Sequence, residues 1–329
     1  MTVYFMGAEK ADFVVSNYQD SYPSYIVNSS SYHNTANSRA QLSFAQRTST
    51  LWLETQPFSA TEFWTHGYFY LEQWANEDHF IIWYSGSTPC IGMDRVGGTT
   101  TMRVRWWNGS SWVVLGTYTL VTTLFLLDVY IKLGSPGEVR VYQNNLPVFS
   151  SLTLDTTFGG AVSAFTKVRL PAVTQSIGNS NGFSEIIVAD WNTIGSRLVT
   201  RGPNAAGAYN EWGGTGFGAV DEVSETNDLI VSGTVDQRFA FNLADFPTPA
   251  SGESIQAVKV AAAAVKDATG PQSLNFFTRQ GTTDYHASDK TVTTQLSGVS
   301  HLFDVNPATG AEWTITDLNA AEFGVRSRT

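Results

Sequence analysis

Four residues in one short stretch have the makings of a recognition surface. In TMRVRWWNGSSWVVLGTY (101–118), strict alternation sends Met102, Val104 and Trp106 to one face of a strand and Arg103, Arg105 and Trp107 to the other. Asn108-Gly109 supplies the positive φ angles of a tight turn, so a hairpin is expected. On its return strand Val113 and Leu115 join the first set, and Trp112 joins the arginines. Indole rings suit the apolar faces of sugars and guanidinium groups can bond hydroxyls, so Arg103, Arg105, Trp107 and Trp112 are candidates for binding a glycan. The same residue types are enriched where one protein surface covers another. An interface with a second domain or subunit is the favoured expectation of the two.

Catalytic constellations are harder to assemble. Glu185 and Asp190 bracket the apolar run in FSEIIVAD, but side chains five apart on a strand point to opposite faces and cannot flank one bond. Glycoside hydrolysis by acid–base chemistry needs two converging carboxyls, and no ExDxE or ExDxxE string occurs among the 29 Asp and Glu. GNSNG (178–182) has the GxSxG spacing of a nucleophile elbow, yet a strand-like segment comes after it where the elbow requires a helix. GGTGFG (213–218) lacks the flanking strand and helix, and the Gly-Lys pair, of a phosphate loop. DEVSETND (221–228) has oxygen ligands enough for calcium, though a solvated acidic loop is the simpler reading. The five histidines, His33, His66, His79, His286 and His301, show no metal-ligand spacing and are expected to be structural or at the surface. No cofactor is expected, and the chain is expected not to be an enzyme.

The elements that would position these groups are strands. Charged residues make up 15% of the 329, against roughly 25% in ordinary soluble domains. That scarcity suits neutral polar sheets better than helices, which need charged outer stripes. FLLDVYIKLG (125–134) alternates Leu127, Val129, Ile131 and Leu133 inward with Asp128, Tyr130 and Lys132 outward, and EVRVYQ comes next, before an Asn144-Asn145 turn. Strands recurring roughly every 10–12 residues predict a sandwich. From Trp191 the composition changes, and 192–223 reads as a long Gly- and Asn-rich connection. The four alanines of ESIQAVKVAAAAVKDA favour a helix by propensity. The alternation of Val258, Val260, Ala262 and Ala264 argues for a strand, and a strand is predicted. A short helical turn is expected at Asp317–Ala321, before a last strand.

The expected fold class is therefore all-β, with a sandwich over 1–191 and a smaller one over 192–329, the Gly-rich connection falling at 202–220. A net charge of −10 argues against nucleic acid as a partner. No run nears the ~18 apolar residues of a membrane span, and the N-terminus has no signal-peptide pattern, so neither membrane insertion nor export is expected. Cys90 is the only cysteine and no internal disulfide is possible.

Two resemblances sharpen the expectation. VRVYQNNLPVFSS (139–151) resembles a hairpin of the concanavalin A-like, laminin-G-like jelly rolls, and by pattern the likeness spans about residues 1–190. More specifically, Ser184-Glu185, Ile187-Val188-Ala189-Asp190, Thr193, Gly195, Arg197-Leu198, Pro203-Asn204, Gly207 and Trp212-Gly213 match a segment of virion proteins of tailed bacteriophages. Asp228, Ala264–Lys266 and NPATGAEWTITDLNAAEFGV (306–325) are similar to its continuation, whereas Trp191-Asn192 departs from the usual acidic or small pair. The resemblance implies a non-enzymatic component of a phage particle, located in the virion as a head fibre, spike, decoration or tail-associated protein. Its implied partners are other virion proteins and further copies of itself, a trimer being favoured, with a host surface glycan as a further candidate. A lectin-like receptor-binding module and a polysaccharide-degrading enzyme are the alternatives.

Overall fold

The computed structural model describes residues 1–16, 26–29, 41–44, 51–71, 78–172, 181–221 and 228–329. Its regular structure is almost entirely antiparallel strand, and the chain divides into two compact units, Met1–Leu198 and Val199–Thr329. The first unit therefore runs past Trp191. Thr193 and Leu198 pack on its eight-stranded sheet, so the change in composition precedes the structural boundary by several residues.

The N-terminal unit opens with β1 (Val3–Gly7), β2 (Val14–Val15), β3 (Ile26–Ser29), β4 (Gln41–Phe44) and β5 (Trp52–Glu54). Longer strands come next: β6 (Glu62–Leu71), β7 (His79–Ser85), β8 (Thr88–Arg95), β9 (Thr101–Trp107) and β10 (Trp112–Thr119). It ends with β11 (Leu124–Lys132), β12 (Gly137–Gln143), β13 (Leu146–Leu154), β14 (Lys167–Pro171) and β15 (Asn181–Ala189). One sheet has the order β13-β12-β11-β6-β15-β4-β3 with β1 also on β15, and the other β10-β9-β8-β7-β14-β5-β2. They form a jelly-roll sandwich around one core. Phe63, Phe69, Phe125 and Phe183 of the first sheet face Ile81, Trp83, Met93, Val104 and Leu170 of the second.

The alternation in β11 buries Leu127, Val129 and Ile131 as expected. Asn144 and Asn145 turn the β12–β13 hairpin at φ 50° and 67°, the left-handed angles that asparagine tolerates. In β9–β10 the loop is Asn108–Ser111. Gly109 sits at φ 96°, and the Asn108 side-chain oxygen accepts from the Ser110 and Ser111 amides at 3.0 and 2.8 Å. A bulge between Val114 and Gly116 then shifts the phase of β10, which turns Tyr118 into the core opposite Met102.

The C-terminal unit contains β16 (Pro203–Asn210), β17 (Arg238–Leu243), β18 (Val258–Ala264), β19 (Ser273–Gln280), β20 (Thr283–His286), β21 (Lys290–Thr291) and β22 (Ser297–Phe303), then α1 (Ile315–Ala320) and β23 (Glu322–Arg328). Six strands make a sheet of order β16-β17-β23-β19-β20 with β21 on β19, and β18 pairs with β22 as a second, two-stranded layer. Phe239, Phe276 and Val325 pack against Val299 and the small side chains of Val260, Ala262 and Ala264. The alanine-rich segment is thus a strand, selected by close sheet packing over helix propensity. The short helix is capped by Thr314, whose hydroxyl oxygen accepts from the Asp317 amide at 3.1 Å.

The expected connection at 202–220 needs correction. Pro203–Asn210 is an edge strand whose exposure alternates along its length, and Gly216–Ala219 forms a 3-10 turn. Small residues on an edge strand carry no apolar run for sequence reasoning to find. Ala206 and Gly207 nevertheless lie close against β17.

Candidate ligand-binding face

The register of the seven-stranded sheet assembles the site on its outer face. In β9, Met102 and Val104 enter the core, which leaves Arg103, Arg105 and Trp107 outside. Arg103 lies opposite Asp94 of β8, and Arg105 lies opposite Gly92. Asp94 is buried and accepts from Arg103 Nε and Nη2, both at 2.7 Å, a bidentate fork. Arg105 Nη1 adds a third bond at 2.9 Å, while its Nη2 donates to the Trp112 carbonyl at 2.9 Å. One carboxylate thus ties β8 to β9, and Arg105 carries the tie on to β10.

The aromatic groups lean on this frame. The Trp112 ring lies 4.2 Å from the His79 ring, centroid to centroid, and meets Trp107 edge-on at 5.6 Å and 66°. Gly92 makes room beneath them. A Cβ there would stand 2.5 Å from His79 Cδ2 and 3.1 Å from Trp112 Cη2. Burial lowers the His79 pKa to about 4, with Arg105 and Arg103 adding to the effect and Asp94 opposing it. The imidazole is therefore neutral at ordinary pH and serves as a flat packing surface.

All four residues expected from the sequence meet on this face, but the arginines are committed to Asp94 and to the β10 backbone. Sequence reasoning missed Asp94 and Gly92, and gave His79 only as one of the structural or surface histidines. A signal for the first was present: MDRVGGTTTMRVR reads as a second hairpin, which sets Asp94 opposite the arginines.

The other candidates are scattered. Glu185 is buried in a bulge of β15 at φ 55° and accepts from the Leu198 amide at 3.4 Å, whereas Asp190 is exposed and accepts from the Thr2 amide at 2.7 Å. His66 is buried, its Nδ1 2.8 Å from Asp128 Oδ1, and the Thr193 hydroxyl donates to the same oxygen at 2.7 Å. Asp128 points away from the core as expected, yet it is buried there, with His66 and Thr193 on its carboxylate. His286 Nδ1 is 2.8 Å from Asn275 Oδ1, and His301 packs edge-on to Phe303 at 4.5 Å. Residues 178–180 of GNSNG, His33, and 222–227 of the acidic run lie outside the described residues; from Asn181 the chain runs on as strand β15, with no helix after the serine. Cys90 is buried, its thiol pushed up to about 11 by desolvation. Among the described residues no three His, Cys, Asp or Glu are grouped to hold a metal, and no helix is long and apolar enough to cross a membrane.

No protein-family model matches the chain, and no curated protein does. Among solved structures it is similar to the T. cruzi calreticulin globular domain, at 11% identity over 58% of this chain and 90% of that one, with a TM-score of 0.41. An endo-beta-1,4-glucuronan lyase from the fungus Trichoderma reesei matches at 10% identity, 59% and 98% coverage and a TM-score of 0.42. The CBM2 module of the Lactobacillus casei BL23 phage J-1 evolved Dit matches at 10% identity, 57% and 99% coverage and 0.35. These are likenesses of β-sandwich outline, and nothing further rests on them.

Proposed function

We propose that this protein is a non-enzymatic component of a tailed-bacteriophage particle, carried on its outside, whose N-terminal sandwich binds carbohydrate through the outer face of the seven-stranded sheet. The observation that carries the binding reading is the Trp107–Trp112 pair, held in place before any ligand arrives by Arg105, Asp94 and His79. A platform already ordered loses little conformational entropy when a sugar stacks on it. Binding rather than catalysis is supported by the state of Asp94: it is buried and both of its oxygens accept from guanidinium groups, so its carboxylate is not presented to a substrate. The particle assignment is supported by the resemblance of 183–325 to virion proteins.

A second reading, that the strip joins copies of the chain, is favoured by β10 being the edge of its sheet with Val114 exposed beside Trp112. Alanine at Trp107 and Trp112 separates the two. Loss of binding on a glycan array with the native mass unchanged in light scattering supports the lectin reading. Collapse of the assembly to a 35.9 kDa species supports the interface and removes the glycan proposal.

A further inference from the structure

The outer face of the seven-stranded sheet repeats one device. Beyond β7, Glu54 of β5 lies beneath Lys167 and Arg169 of β14, as Asp94 lies beneath Arg103 and Arg105. Lys167 Nζ is 2.9 and 3.1 Å from the two Glu54 oxygens, and Arg169 Nε donates to Oε1 at 2.6 Å. The register puts Arg169 opposite both Ile82 and Glu54, and Ile82 opposite Gly92, so both clusters share one face. Arg169 is stacked between two rings, its guanidinium carbon 4.5 Å from the Trp52 centroid and 4.8 Å from that of Tyr84. Aromatic rings therefore accompany the cations at both ends. β9 and β14 are three strand steps apart, about 14 Å at the usual spacing.

The signs are sorted by depth. Asp94 and Glu54 side chains are 0% and 9% exposed, while Arg103, Arg105, Lys167 and Arg169 are 12%, 17%, 22% and 26% exposed. Four cations stand over two carboxylates among the described residues of this face, and Asp78 and Arg95 at adjoining strand ends add one charge of each sign. The chain as a whole carries −10. A local positive excess on an acidic protein, with its own acids buried under it, is complementary to a polyanion.

We infer that this face binds an acidic polysaccharide laid across the strands, its carboxylates over the two cation pairs and its sugar faces on Trp107, Trp112 and Trp52. The inference rests on the carbohydrate-binding reading above and adds the class of sugar. A polyanionic glycan is matched by two separated charge pairs flanked by rings. A nucleic-acid duplex asks for a continuous basic stripe and meets a net negative chain.

The test is titration calorimetry of the full chain with a panel of uronate-containing oligosaccharides, the same compounds with their carboxyls reduced, and a DNA duplex, in 50 and 500 mM NaCl. Uronate forms are expected to bind about tenfold or more tighter than their reduced counterparts, and to weaken at the higher salt, where the Debye length falls toward ~4 Å. Lys167→Gln, which leaves Arg169 on Glu54, is expected to weaken uronate binding severalfold, and by more than it weakens binding of the reduced forms. The salt series needs no variant and stands if Lys167→Gln folds poorly. Equal affinity for charged and reduced sugars overturns the inference and leaves the carbohydrate reading intact. Binding of neither form overturns both, and preferential binding of a DNA duplex overturns the assignment to a polysaccharide.

Discussion

Asp94 is a buried carboxylate with three charge-assisted bonds from two arginines. Asparagine in its place keeps the shape and leaves two guanidinium groups without their counter-charge. Asp94→Asn is expected to destabilise the N-terminal unit by about 3 kcal/mol, read from the urea midpoint. His79 gives a second expectation. Its folded pKa of about 4 lies below the 6.5 of the unfolded chain, so between these values the unfolded chain takes up a proton that the folded chain refuses. Stability is full above about pH 6.5 and falls as pH drops toward 4, by about 3 kcal/mol at most from this group. His79→Gln should flatten that part of the pH–stability curve. At this scale the sequence was legible where alternation ruled: Arg103, Arg105, Trp107 and Trp112 reach the same face because successive residues of a strand must point opposite ways. What alternation could not tell was how those side chains would be used, because that depends on the strand lying alongside.

Among elements, β23 shows how a single residue sets the approach of three strands. It runs between β17 and β19, and a Cβ on Gly324 would stand 2.4 Å from the Phe239 carbonyl oxygen and 2.5 Å from Phe277 Cζ. Backbone cannot retreat as a flexible side chain can. Gly324→Ala is therefore expected to cost the C-terminal unit about 2 kcal/mol or more, seen as a lowered thermal midpoint. Elements were readable from the chain when apolar residues alternated, as in β11 and even in the alanine-rich β18. They were not readable where pairing depends on backbone alone. β16 is held at the edge of its sheet by ladder bonds and small residues, so its text resembles a loop. The bulge in β10 is equally silent, since an extra residue changes no composition and only the observed pairing shows that Tyr118 has changed sides.

At the scale of the molecule, each unit has its own core, one around Phe69 and Trp83 and the other around Phe239 and Phe276. Scanning calorimetry is expected to resolve two transitions, with Asp94→Asn moving one and Gly324→Ala the other. A single transition shifted equally by both substitutions would contradict that independence. Here the sequence was least informative. Glu54 meets Lys167 and Arg169 across 113 and 115 positions, through the register of β5 with β14, and nothing local to either segment announces the meeting. The two buried carboxylates also constrain how such a surface can change over generations. Replacing Asp94 or Glu54 by its amide makes the face more positive, and each replacement also loosens the strands that the acid ties together. On the polyanion-binding proposal, a substitution of either acid that strengthens attraction for the ligand would therefore lower heat resistance, so grip and durability could not be raised together at these two positions.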